Sequence, residues 1–320
     1  MSTNLKISIL IPSFNQGAFI EQTILSILNQ DHTNTELIII DGGSTDNTVD
    51  IIKKYEDKIA YWISEPDRGQ AHAINKGLEK ATGKVFNWIN SDDYLEPGAL
   101  NLIANYFTIN PTKNICCGYT RCFYNDDNST SHEYRMGVKE KVADTIYKVE
   151  MNQPGSFYKM QVLREFCGVN ESLRYVFDDE LWFRYLCKYG LENIGFIDKR
   201  IASFRLHRNS KSVGEGFDHF NKEIQSLHID IALAAGAPNW LIEKLQTTAY
   251  AENYIAKEAW DIKKLEQQRL LALLAAKFIN SLYLAGEKKQ AKEAMQMTID
   301  NNVFKWNRMN SSLRLKLLFS

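Results

Sequence analysis

Apolar positions follow two rhythms through the first two-thirds of the chain. Ile7, Ile9 and Ile11 lie in one compact apolar run, and Leu37–Ile40 is apolar without a break. Runs this short predict buried strands, the second of the kind that a parallel sheet covers on both faces. Between them Ile20, Ile24, Ile27 and Leu28 recur at the spacing of one helix face. Val49, Ile52 and Tyr55 predict a second helix, with Ser44 as its N-cap. Ala71, Ile74, Leu78 and Ala81 predict a third, closed by Gly83, and Lys84–Ile89 reads as the next strand. Strand and helix in alternation predict an α/β fold with a parallel sheet and right-handed crossovers. Ligands of such sheets bind beyond the carboxyl ends of the strands. Two acidic clusters, Asp41-Gly42-Gly43-Ser44-Thr45-Asp46 and Asn90-Ser91-Asp92-Asp93, stand at such ends.

Further along the rhythm changes. Residues 125–150 are polar and irregular, with a turn expected at Asn125-Asp126-Asp127-Asn128, and read as surface. The last hundred residues read as helix. Trp260, Ile262 and Leu265, then Leu270, Leu271, Leu274, Phe278 and Leu282, form amphipathic faces. Two glycines, Gly214 and Gly216, mark the boundary between a first domain, 1–216, and a helical region, 217–320. The helical faces are expected to pack on the first domain or on a second copy of the chain. The alternative is contact with a membrane surface, for which the mixed basic and apolar tail from Lys305-Trp306 to Leu318-Phe319 is suited.

Composition narrows the class. The formal net charge of −1 argues against a general grip on nucleic acid. Five cysteines without a Cys-x-x-Cys pair argue against zinc or a disulfide framework and for a reducing compartment. No apolar run approaches the ~20 residues of a membrane span. A cytoplasmic protein, at most peripheral on the membrane, is expected.

Four clusters carry candidate chemistry. Ser91-Asp92-Asp93 has the hard oxygen donors that Mg²⁺ or Mn²⁺ takes, but also suits a solvated turn. The Asp41–Asp46 loop is glycine-rich yet lacks a P-loop lysine, and its acids would repel phosphate. They suit a uracil N–H or a ribose hydroxyl; alternatively the loop only turns the chain. Asp178, Asp179 and Glu180 open a helix, where the dipole favours them, and one could serve as general base for a hydroxyl. His207, Arg208 and Lys211 offer a metal or phosphate contact, or a structural histidine with solvated cations.

Together these clusters resemble the inverting family 2 glycosyltransferases of the GT-A fold, from about Ile7 to Ser212. Ile9-Leu10-Ile11-Pro12-Ser13-Phe14-Asn15 is similar to the family's opening strand, and Leu37–Asp46 to its nucleotide-binding segment. Arg68-Gly69-Gln70-Ala71 resembles the helix before the metal motif, and Asn90-Ser91-Asp92-Asp93 its Asp-x-Asp-type motif. Gln153-Pro154 and Gly168–Leu173 resemble the acceptor-side segment. The resemblance implies a Rossmann-like sheet with a nucleotide-sugar half, about 1–105, and an acceptor half, about 106–216. It places Pro12, Phe14, Asp41, Asp46, Asp67, Arg68, Asp92 and Lys211 around the nucleotide. It implies a divalent cation, Mn²⁺ or Mg²⁺, on Asp93 with His207 beside it. Counting back from Leu181-Trp182, it puts the catalytic base on Asp178, with Asp179 as the competing register. The implied reaction is a single displacement that moves a sugar from a nucleotide sugar, expected to be a UDP-sugar, to a saccharide or lipid-linked saccharide in bacterial surface-polysaccharide synthesis. A glycoside hydrolase needs two carboxylates but no nucleotide pocket, and a non-catalytic nucleotide-sugar-binding protein would need no base.

Overall fold

A computed structural model describes residues 4–208, 210–211, 217–247, 250–251 and 253–300. The expected boundary at Gly214–Gly216 and the basic tail 305–320 lie outside the described residues. The chain divides into two compact units. The first comprises Met1–Gly137, Glu150–Trp182 and Glu192–Phe217, and the second Val138–Val149, Phe183–Leu191 and Asp218–Ser320.

The first unit is built on one sheet. The predicted opening appears as β1 (Ile7–Ser13), α1 (Ile20–Leu28), β2 (Thr35–Asp41), α2 (Thr48–Lys53), β3 (Tyr61–Ser64), α3 (Gln70–Lys80) and β4 (Val85–Trp88). It continues with β5 (Tyr94–Leu95), α4 (Ala99–Ile109), β6 (Ile115–Tyr124), β7 (Thr130–Tyr134), β8 (Ser156–Lys159), α6 (Met160–Glu165), the start of α7 (Phe177–Tyr189) and β9 (Ile194–Leu206); α5 (Val142–Tyr147), between β7 and β8 in the chain, belongs to the second unit. The strand order is β3-β2-β1-β4-β8-β6-β9-β5, with β7 paired to β6. β3, β2, β1 and β4 run parallel, as predicted. Beyond β4 the sheet is mixed. β8 is antiparallel to both β4 and β6, and β6 is parallel to β9. The polar stretch read as surface contains the turn of the β6–β7 hairpin, with Asn128 at φ +56°, strand β7 and helix α5. Its strand period escaped notice because β7 is an exposed strand with no apolar face.

The core follows the predicted faces. Ile7, Ile9 and Ile11 pack with Ile20, Ile24, Ile27, Leu37 and Ile39, all at most 2% exposed. A fully buried Leu or Ile of this kind contributes roughly 1.5–3 kcal/mol. At the amino end of β1 and β2 the buried Glu36 accepts bonds from Lys6 (2.8 Å), Ser8 (2.5 Å) and Thr82 (2.8 Å). Burial alone would raise its carboxyl, but these donors outweigh that and hold it down at about 2. A depressed acid stabilises the fold above its unfolded value of about 4.5 and loses that contribution as pH falls through 2. Between pH 5 and 2, wild type should therefore lose up to about 3 kcal/mol more than Glu36→Gln. Parallel urea melts of the two proteins at pH 5 and pH 2.5 measure this; equal losses would refute it.

The second unit is helical. Beside α5 and the later part of α7 it contains α8 (Phe217–Ala234), α9 (Asn239–Gln246), α10 (Gln267–Leu284) and α11 (Lys288–Asp300). Leu270, Leu271, Leu274 and Phe278 are buried, as their spacing predicts. Asp230 accepts bonds from Tyr254 (2.9 Å) and Trp260 (2.7 Å), and Asp144 holds Arg269 (2.8 Å). Among the described residues no helix is long and apolar enough to cross a membrane.

Candidate active site

The carboxyl ends of β1, β2, β3 and β4 carry the polar loops of the first unit. Pro12 is buried within β1, and Phe14, just past its end, is 59% exposed. The two following loops brace each other. The Asn15 N–H donates to Ser44 Oγ (2.7 Å), and Asn15 Oδ1 accepts from the Thr45 N–H (2.8 Å). Asp41 is fully buried and takes four bonds, from the Gly43 and Ser44 N–H groups and the Ser44 and Ser64 hydroxyls, at 2.5–3.1 Å. Gly43 has φ +84°, so this turn favours glycine.

Ser44 is therefore not the helix cap that the sequence predicts. α2 begins at Thr48 with Asn47 in the cap position, and Asp46, just before it, accepts the Thr48 N–H (3.0 Å) and the Gly17 N–H (3.0 Å). Burial would raise the Asp46 carboxyl, but the Thr48 hydroxyl and these amides hold it below the ordinary value. Asp67 lies over Gly42, where an added Cβ would meet its Oδ2 at 2.8 Å, and its Oδ1 accepts the Gly69 N–H (2.7 Å). Arg68 extends into solvent and pairs with Glu171 at 2.6 Å.

The Asn90-Ser91-Asp92-Asp93 turn sits between β4 and β5. Thr23 on α1 donates to the main-chain oxygens of Ser91 (3.0 Å) and Asp93 (2.6 Å), which holds the turn. Pairing of Tyr94-Leu95 with Ser203 and Ala202 brings the far end of β9 alongside. Asp92 Oδ2 lies 2.9 Å from His207 Nε2, both side chains partly accessible. Asp93 is 1% exposed, and its carboxylate accepts the Arg205 N–H (2.8 Å) and Asn90 Nδ2 (3.3 Å). Burial, followed by the charge of Asp92, pushes the Asp93 carboxyl well up. The carboxylate that faces His207 is thus that of Asp92, whereas the sequence reading favours Asp93 as the metal ligand. Adjacent residues leave a turn in different directions, and spacing alone does not say which one turns inward. Lys211 Nζ donates to Gln70 Oε1 (2.8 Å), and Gln70 Nε2 to Asn90 Oδ1 (2.6 Å), so Lys211 reaches the motif through two amides.

The third acidic cluster opens α7. Phe177 packs on Trp88 of β4 with ring centroids 6.3 Å apart, which ties the helix start to the sheet. Asp178 and Asp179 follow, both half-buried, while Glu180 is buried. Among the described residues Asp179 Oδ1 is shut off from solvent without a hydrogen-bond partner, and burial together with the Asp178 charge pushes its carboxyl well up. Tyr134 stands at the end of β7. Burial first, then the charges of Cys122, Asp93, Asp178 and Asp179, push its phenol far above its ordinary value, so it stays a proton donor. Sequence reasoning missed Tyr134, whose exposed strand gives no periodic signal. It also left Gln70 and Asn90, inside the quoted motifs, and Arg205, two residues before His207, without roles.

The arrangement has counterparts. The model of glycosyl transferase family 2 matches residues 8–167, half of the chain, and the chain belongs to this family. The uncharacterized glycosyltransferase RP339 of Rickettsia prowazekii is 26% identical over 212 residues, 63% of this chain and 64% of its own. The GalNAc(5)-diNAcBac-PP-undecaprenol beta-1,3-glucosyltransferase of Campylobacter jejuni is 33% identical over 102 residues, 31% of this chain and 33% of its own. The match therefore spans less than two thirds of the length of these curated relatives. In fold, the chain is similar to Staphylococcus aureus TarS solved with UDP-GlcNAc. The TM-score is 0.55 and the identity 17%, covering 93% of this chain and 90% of that one.

Proposed function

We propose that this chain is a metal-dependent inverting glycosyltransferase that moves a sugar from a UDP-sugar to a hydroxyl of a saccharide or lipid-linked saccharide in polysaccharide synthesis. The observation that carries this reading is the placing of two separate acid pairs in one unit: Asp92-Asp93 after β4, with Asp92 2.9 Å from His207, and Asp178-Asp179 at the start of α7. One pair comes with a histidine, as a cation on a diphosphate requires; the other opens a helix, as a base on an acceptor requires. The similarity to the Campylobacter relative, named as a glucosyltransferase on an undecaprenol-linked saccharide, supports the acceptor class.

Asp92 and His207 fit a divalent cation. They are two hard or borderline donors 2.9 Å apart and accessible from one side. Among the described residues no group of three or more His, Cys, Asp or Glu could hold a metal. That suits Mg²⁺ or Mn²⁺, which complete their shell with phosphate oxygens and water. When bound, such a cation neutralises the charge that develops on the leaving diphosphate. In the transfer itself, Asp178 accepts the proton of the acceptor hydroxyl as that oxygen attacks the anomeric carbon. The C1–O bond to the diphosphate breaks on the opposite face, UDP leaves and the configuration inverts. Asp179, whose carboxyl burial and the Asp178 charge push well up, is the less suited of the two to take that proton.

Asp67 is the acid that reads the nucleobase on this reading. The bonds Asp41 already takes nearly exhaust what a carboxylate accepts, whereas Asp67 Oδ2 takes no hydrogen bond among the described residues. Asp67→Asn should weaken UDP binding by about 1.5–3 kcal/mol and leave the melting curve unchanged. Asp41→Asn should instead lower the melting temperature. Calorimetry and melting of both variants check this, and UDP affinity unchanged in Asp67→Asn would remove that assignment. The function as a whole is tested by incubating the chain with a panel of nucleotide sugars, Mn²⁺ and saccharide acceptors. Acceptor-dependent UDP release is expected; no nucleotide release from any donor would overturn the reading.

A further inference from the structure

Arg205 is 7% exposed and lies at the end of β9, two residues before His207. Its side chain forks to three neutral acceptors on three elements. Nε donates to the main-chain oxygen of Asp92 (2.8 Å), Nη1 to Asn125 Oδ1 (2.9 Å) and Nη2 to Gln22 Oε1 on α1. Its own N–H donates to Asp93 Oδ1 (2.8 Å). The guanidinium lies 5.0 Å from the Phe19 ring centroid and 4.8 Å from that of Phe123, and Phe19 in turn packs on the His207 ring at 4.7 Å. One side chain therefore touches the backbone of Asp92, the carboxylate-bearing turn behind it and the ring that supports His207.

From this arrangement we infer that Arg205 is the positioning residue of the cation site. Its fork sets the distance between Asp92 and His207 and joins that distance to the β6–β7 hairpin and to α1. The inference rests on the reading of Asp92 and His207 as the cation's ligands. Burying a guanidinium costs desolvation that neutral acceptors repay only in part, and packing among apolar residues would be cheaper. What the arginine adds is a planar fork whose directions are fixed once its three acceptors are fixed. A lysine supplies the charge without the fork. Residues that orient ligands from behind typically change metal affinity 10–100-fold when replaced.

The test is titration of Mn²⁺ into the full chain saturated with UDP, followed by calorimetry or by the paramagnetic resonance of free Mn²⁺. UDP affinity without metal and the melting curve are measured alongside. Arg205→Gln is expected to weaken Mn²⁺ about 10–100-fold and metal-free UDP no more than about twofold. Arg205→Lys is expected to stay at least about tenfold weak, since charge without the fork does not rescue. Should Arg205→Gln fail to fold, the double variant Gln22→Ala/Asn125→Ala cuts two arms from outside and should weaken Mn²⁺ by about threefold or more. Wild-type Mn²⁺ affinity in Arg205→Lys overturns the inference, as does wild-type affinity in the double variant. Loss of Mn²⁺ in Asp92→Asn without loss in Arg205→Gln overturns this inference alone. Unchanged Mn²⁺ binding in both would overturn the reading of Asp92 as well.

Discussion

Asp178→Asn should lower turnover by ~10²–10⁴-fold, about 3–5 kcal/mol of barrier, while UDP and Mn²⁺ bind as in wild type. The amide keeps the size of the carboxylate but cannot accept the acceptor's proton. Donor binding is spared because Asp67, Asp92 and His207 belong to other loops. Asp179→Asn should be far milder. Burial and the Asp178 charge push the Asp179 carboxyl well up, so an amide there should disturb proton acceptance less than one at Asp178. Steady-state kinetics of the two variants decide the register. Inactive Asp179→Asn beside active Asp178→Asn would move the base by one residue, and two active variants would remove the inverting mechanism.

The second large effect concerns the cation. Asp92→Asn should lower metal-dependent turnover by roughly 10²–10³-fold, the several kcal/mol that charge neutralisation at a leaving group supplies. Excess chelator should do the same to wild type. Asp93→Asn is the contrast. Asp93 is buried, and its amide replacement can still accept the Arg205 N–H, so Mn²⁺ affinity should change by no more than about threefold. Asp93→Ala would leave the Arg205 N–H without an acceptor, and its cost should appear in the melting temperature before it appears in Mn²⁺ affinity. Titrating Mn²⁺ into the three variants separates the ligand from its support. Full activity of wild type in chelator would dispose of metal dependence.

The sequence alone carries the opening β-α-β-α pattern, because strand and helix faces are local periodicities that burial must satisfy. It also carries the placing of Asp41, Asp92-Asp93 and Asp178-Asp179 at element ends, since each follows an apolar run or opens one. It does not carry orientation. Ser44 looks like a helix cap, yet a buried Asp41 captures its hydroxyl, and the helix starts only at Thr48, whose N–H Asp46 accepts. Asp92 and Asp93 are identical as letters, and only the pairing of β5 with β9 aims one at His207 and buries the other. Tyr134, on an exposed strand, acquires its buried surroundings only once β7 has paired with β6. Gln22, Asn125 and Arg205 lie as far as 183 positions apart, and no local pattern relates them. Periodicity reports which side of an element is apolar; which polar groups share hydrogen bonds is settled by contacts between distant segments, and those exist only once the sheet has formed.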